Sequence, residues 1–138
     1  MSLRDQRTSY LDNPLLVIVD DDESVREGME SLMRCLGCRA ESFESAERFL
    51  LSGRLPETDC LILDVKMSGM DGLALRRLLA EVRPPLPTIF VTAHGDEAMR
   101  TQALQLGAAA FLRKPCSVEA LLDAVRLALE TNHAPLEK

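Results

Sequence analysis

LLVIVDDD, residues Leu15 to Asp22, sets five apolar residues directly against three acids. A run this short, rich in β-branched residues and ended by charge, reads as a strand covered on both faces, because a half-covered strand would alternate. Three further runs have the same build: Cys60 to Leu63 ends in Asp64, Ile89 to Val91 ends in Thr92, and Ala110 to Leu112 is followed by Arg113, Lys114 and Pro115. If the runs are parallel strands joined by helices, their carboxyl ends share one edge of one sheet, the edge at which open α/β sheets bind ligands. Asp20, Asp21, Asp64, Thr92 and Lys114 then converge.

The stretches between the runs carry helical spacing. Val25, Met29, Leu32, Met33 and Leu36 form one stripe, stopped by Gly37. Arg39 to Phe43 reads as a second strand, and Ser45 caps a short helix bearing Ala46, Phe49 and Leu50. After Asp64, a loop over Val65 to Gly72 turns at Gly69, Asp71 and Gly72. Leu73, Leu75, Leu78, Leu79 and Val82 continue as a helix, which Pro84, Pro85 and Pro87 end. Glu97 to Leu106 is a fourth helix closed by Gly107, and Ser117 caps a last one with Val118, Leu121, Leu122, Val125 and Leu129 on one stripe. Strand and helix thus alternate five times, which predicts an α/β domain of (βα)5 type with a doubly wound parallel sheet. The boundaries expected are a flexible N-terminal arm over 1–13, the domain over 14–131, and a tail or start of a linker over 132–138.

Composition narrows the function. A chain of 138 residues buries a substantial core as one domain without disulfides or metal. Aromatic residues are 4% of the chain and Trp is absent, so a base-stacking surface is not expected. The formal charge of −6 argues against this domain gripping a nucleic-acid backbone. No apolar stretch approaches the roughly 18 residues of a membrane span, and the polar start has no signal-peptide core, so a cytoplasmic location is expected. Cys35, Cys38, Cys60 and Cys116 then read as reduced thiols; the Cys35/Cys38 pair lacks a second ligand pair for zinc.

Each site candidate has an ordinary reading by itself: Asp21 or Asp22 as a helix cap, Asp64 as a turn residue, Thr92 as a loop former, Lys114 as a solvated charge. Their placement after strand runs, in order, points instead to one phosphoryl-handling site. Magnesium is a hard ion that keeps several waters and takes one or two carboxylates plus phosphate oxygens. Asp21 and Asp64 are candidate direct ligands, with Asp20 acting through water. A carboxylate also accepts a phosphoryl group as an acyl phosphate, in a transfer governed mainly by positioning and charge neutralisation. Lys114 supplies a compact cation and Thr92 a hydroxyl donor. His94 has no second His or Cys at ligand spacing and reads as a loop residue bordering the site.

The strings VIVDDDESVR, LILDVKMSGMDG, IFVTAHGD and AAFLRKP resemble the receiver domain of two-component response regulators, in the CheY-like superfamily. TAHGD followed by KP is most like the FixJ-like branch. The resemblance covers about Leu15 to Glu130 and implies a flavodoxin-like fold with strand order 2-1-3-4-5. By that resemblance Asp64 is the phosphoacceptor for a sensor histidine kinase, and Asp20 and Asp21 are the acidic pair of a Mg2+ site completed by Asp64 and the backbone carbonyl of Lys66. Lys114 is the lysine before a proline, joined to Pro115 by a cis bond. Thr92 is the switch hydroxyl and Phe111 the aromatic switch position. Lys66 and His94 flank the path of the hydrolytic water and so modulate the lifetime of the phosphoprotein. Such a domain catalyses only its own phosphorylation and dephosphorylation. Its readout is a phosphorylation-dependent homodimer and an output, transcription through a C-terminal DNA-binding domain; the alternative is a stand-alone receiver acting by protein–protein interaction or phosphorelay. Two positions depart from the pattern: Ser68 stands where proline usually follows Met67, removing a φ restraint, and Cys116 stands where Phe often follows Lys-Pro. A haloacid-dehalogenase-like phosphohydrolase would need a second acid at position 66, which is lysine. A flavodoxin would need a phosphate loop of Ser, Thr and Gly where Asp20 to Glu23 would repel phosphate.

Overall fold

The structure, a computed structural model, describes residues 13–82, 86–93 and 96–133. Leu15–Val19 forms β1, Cys60–Leu63 β3 and Thr88–Thr92 β4, and every residue of the three is buried. Arg39–Phe43 (β2) and Ala110–Arg113 (β5) mix buried with more exposed positions because they are the two edges. All neighbours pair in parallel in the order β2-β1-β3-β4-β5, the flavodoxin-like arrangement expected.

Five helices cover the sheet: α1 (Glu23–Cys35), α2 (Ala46–Leu51), α3 (Gly72–Val82), α4 (Glu97–Gln105) and α5 (Val118–His133). Successive strand residues face opposite sides, so each unbroken run feeds two cores. Val17, Leu61, Leu63 and Phe90 pack against Phe49 of α2, Leu75 and Leu79 of α3 and Ala103 of α4. Leu16, Ile18, Ile62 and Val91 pack against Met33 of α1 and Leu121, Val125 and Leu129 of α5. Each large side chain so buried contributes about 1.5–3 kcal/mol. Asp22 rather than Asp21 caps α1, accepting the Ser24 and Val25 N–H groups at 2.9 and 3.2 Å. Ser45 caps α2 by accepting Arg48 N–H at 3.1 Å, and Ser117 caps α5 by accepting Ala120 N–H at 3.0 Å.

Boundaries differ from the sequence reading in several places, among them the helix expected over Glu97 to Leu106, which ends at Gln105. β4 includes Thr92 and β5 includes Arg113 because the ladder pairs these two residues. α5 runs to His133, past the boundary at 131, since no helix breaker follows Leu129 before Pro135. Residues 1–12 of the expected arm, Arg83 to Pro85, His94, Gly95 and the tail from Ala134 lie outside the described residues. Among those described, no helix is long and apolar enough to cross a membrane. Cys60 is fully buried and Cys38 half-buried, both as free thiols whose pKa burial raises.

Candidate functional site

Parallel register brings the site to one edge. Val19 lies opposite Leu63, Leu63 opposite Phe90, and Thr92 opposite Arg113. Asp20, Asp64 and Lys114 come next in the chain, at the junction of β1 and β3 and along the carboxyl edge beyond it, where the winding of the chain reverses. Backbone bonds continue one step into each loop. Asp20 N–H donates to the Phe43 carbonyl at 3.1 Å, Asp64 N–H to Val19 at 3.0 Å, and Lys114 N–H to Thr92 at 2.9 Å. Each reactive side chain therefore springs from backbone tied to the sheet.

Asp20 is 2% exposed and fully engaged. Its Oδ1 accepts Asp22 N–H at 2.9 Å, its Oδ2 accepts Lys114 Nζ at 2.8 Å, and its carbonyl accepts Arg26 Nη1 at 2.8 Å. Asp64 is 6% exposed; its Oδ2 stands 3.6 Å from the same Nζ, while its buried Oδ1 receives no hydrogen bond. Asp21 is exposed at the mouth, and one carboxylate oxygen from each of Asp20, Asp21 and Asp64 falls within 4.8 Å of the others. Burial raises the Asp64 pKa; the hydrogen bond from the buried Thr92 side chain opposes it, the Asp20 charge adds to it, and Lys114 offsets part. Burial alone would lower the Lys114 pKa, but its hydrogen bond to Asp20 and the charges of Asp20 and Asp64 raise it, so the ammonium stays charged.

A buried acceptor without a donor costs on the order of 1–3 kcal/mol, and more when charged. A hard divalent cation would relieve it. The donor set is oxygen only, without the nitrogen or sulfur that zinc or copper would select, which fits magnesium.

Gly72, which the sequence reading placed in a turn, opens α3. Its N–H donates to the Val65 carbonyl at 2.8 Å, and a Cβ there would stand 2.2 Å from the Asp64 carbonyl oxygen. Only glycine lets the helix begin this close to the strand end that bears Asp64. Phe111 is buried against Phe90, ring centroids 6.2 Å apart, and the Lys114–Pro115 bond is cis. Lys66 is exposed two residues past Asp64, and His94 lies outside the described residues. Arg26 and Gly72 are contributors the sequence reading missed. Arg26 follows an acidic cap and looks like a surface cation, with no local signal of its bond back to Asp20. Beside Lys114, a mostly apolar groove of about 470 Å³ opens between α1 and α5, lined by Val25, Met29, Leu32, Cys116, Val118 and Leu121 among others.

Comparison with known proteins gives one family. Residues 16–126 match the response regulator receiver domain. The chain is 44% identical over 124 residues to the response regulator protein TmoT of Ectopseudomonas mendocina, covering 90% of this chain and 56% of that protein. It is 40% identical over 121 residues to the transcriptional regulatory protein TdiR of Thauera aromatica, covering 88% and 53%. The chain thus spans about half the length of these curated relatives. The solved structure of the response regulator StyR superposes with a TM-score of 0.81 at 42% identity, over 90% of this chain and 63% of that one. The sheet order, the edge that gathers two buried acids with a lysine, and these matches agree: the chain belongs to the receiver domain family of response regulators.

Proposed function

We propose that this chain accepts a phosphoryl group from a sensor histidine kinase on Asp64, in a Mg2+-dependent reaction, and passes the event to an output. The observation that carries the reading is the buried Asp64 Oδ1, without a donor, in a group of three acids served by one lysine. A carboxylate stripped of hydration is more basic, and so more nucleophilic, than one in water. In the transfer, a bond forms between an Asp64 oxygen and phosphorus as the P–N bond of the donor phosphohistidine breaks and the imidazole leaves. Lys114 Nζ, shared between Asp20 and Asp64, is proposed to hold one phosphoryl oxygen, and the Thr92 hydroxyl another.

Asp21, Asp64 and the Lys66 carbonyl are the proposed direct ligands of Mg2+. Asp20, whose two oxygens already serve Asp22 N–H and Lys114, acts through water. Bound there, the ion would neutralise charge shared by the acids and the phosphoryl oxygens. The Lys66 side chain and His94 are proposed to flank the acyl phosphate and tune its hydrolysis; an exposed pairing worth about 0.2–1 kcal/mol changes that rate less than about tenfold.

The receiver is assigned to 14–133, which takes in the whole of α5, and to the cytoplasm. Transcription through a DNA-binding domain is the proposed output, supported by the greater length of the relatives and the name of TdiR. Incubation with a small phosphodonor and magnesium tests the site. Intact mass should rise by one phosphoryl group in wild type and not in Asp64→Asn; an equal gain in both overturns the assignment.

A further inference from the structure

We infer that Glu47, on α2, is a positioning residue for the magnesium site, through its hold on the loop between β3 and α3. The inference rests on the reading of Asp64 and its neighbours given above.

The loop is closed at its root by the Gly72 N–H on the Val65 carbonyl, at 2.8 Å, and by Asp71, whose carboxylate accepts Ala74 N–H at 2.8 Å. Between these anchors only Met67 and Met70 pack on the core, each partly buried. Ser68 and Gly69 are exposed, and neither fixes φ as proline at 68 would. Across this weak span Glu47 Oε2 accepts Met70 N–H at 2.8 Å, a bond between residues 23 apart in the chain. The carboxylate also lies over Gly69. A Cβ on Gly69, whose φ is +78°, would stand 2.7 Å from Glu47 Oε2 and 3.2 Å from its Cδ. Glycine is therefore required there twice, for its backbone conformation and for the space the acid fills. Glu47 is itself fixed in the first turn of α2, between the capping Ser45 and the buried Phe49. The hydrogen bond from Met70 holds the Glu47 carboxyl below its ordinary range. A helix anchored in the core thus grips the loop tip from outside.

The consequence falls on Lys66, four residues before Met70 in the same loop. Magnesium demands near-octahedral geometry, so a carbonyl that drifts is a poor ligand. Glu47 supplies from another element the restraint that Ser68 does not supply from within.

Magnesium titration of Glu47→Ala and Glu47→Gln, with amide hydrogen exchange at Met70 measured in metal-free protein, tests this. Glutamine keeps an acceptor oxygen and loses the charge. Glu47→Ala should raise the magnesium Kd by about three- to tenfold, below the roughly 10–100-fold that removal of a ligand's direct partner costs. It should also speed exchange at Met70. Glu47→Gln should stay within about twofold of wild type in both, because the hydrogen bond survives. Gly69→Ala should mimic Glu47→Ala and add little to it in the double variant. An unchanged Kd in Glu47→Ala overturns the inference. So does a Glu47→Gln protein as weak as Glu47→Ala, which would trace the effect to long-range charge. A wild-type chain that binds no magnesium overturns the site reading itself, and the titration of wild type alone distinguishes that failure.

Discussion

Asp64 is 6% exposed and one of its oxygens has no donor, so folding disfavours its ionised form. Its folded pKa lies above the unfolded one, with burial the first cause. A group shifted in this direction contributes stability below its unfolded pKa and loses that contribution as pH rises through the folded value. At neutral pH the ionised acid therefore works against the fold. Asp64→Asn is expected to raise the Tm of the metal-free domain by a few degrees at neutral pH. The gain should shrink toward about pH 4, as the raised pKa lets wild type begin to take up the proton. Calorimetry at the two pH values checks this; no gain at neutral pH would mean that Lys114 and Thr92 compensate the acid in full. The five side chains of the site were legible in the sequence because each follows a strand run. Which acid caps α1 was not, since Asp21 and Asp22 are equivalent by type and only the turn geometry selects Asp22.

Among the elements, the junction of β3 with α3 decides how Asp64 is held. Gly72→Ala would set a Cβ 2.2 Å from the Asp64 carbonyl oxygen, against backbone that cannot yield as a side chain would. It should cost about 1–3 kcal/mol, as overpacking does, and slow phosphorylation by shifting Asp64. Urea titration should show a lower midpoint at unchanged m; a midpoint equal to wild type would mean that the helix start moves freely. The strands themselves were legible because LLVIV and CLIL are unbroken apolar runs, which only a doubly covered sheet can hide. Glu47 and Gly72 were not. An acid in the first turn of a helix has a sufficient local reason in the helix dipole, and a glycine beside Asp71 looks like any turn. Their partners lie in segments that only the fold brings near. The end of α5 at His133 was missed because the apolar stripe stops at Leu129 although nothing yet forbids the helix.

Across the whole molecule, Thr92 ends β4 opposite Arg113 of β5, the strand that carries Phe111, so the proposed coupling from the site to the outer strand would run through this pair. Phe111 already packs inward against Phe90. A phosphoryl group that draws in the Thr92 hydroxyl is then expected to favour an existing arrangement over its competitors, not to create one. Sedimentation with a beryllofluoride mimic should show a larger dimer fraction than without it, and Thr92→Ala should blunt the rise; identical fractions in wild type would argue for partner docking as the readout. The bond from Lys114 to Asp20 joins residues 94 positions apart at 2.8 Å. Synthesis delivers the acids early and the cation late. A chain cut short before β5 would present the proposed acceptor without the lysine proposed to hold one phosphoryl oxygen. On the proposed reading, competence to be signalled would be completed only by the last strand of the sheet.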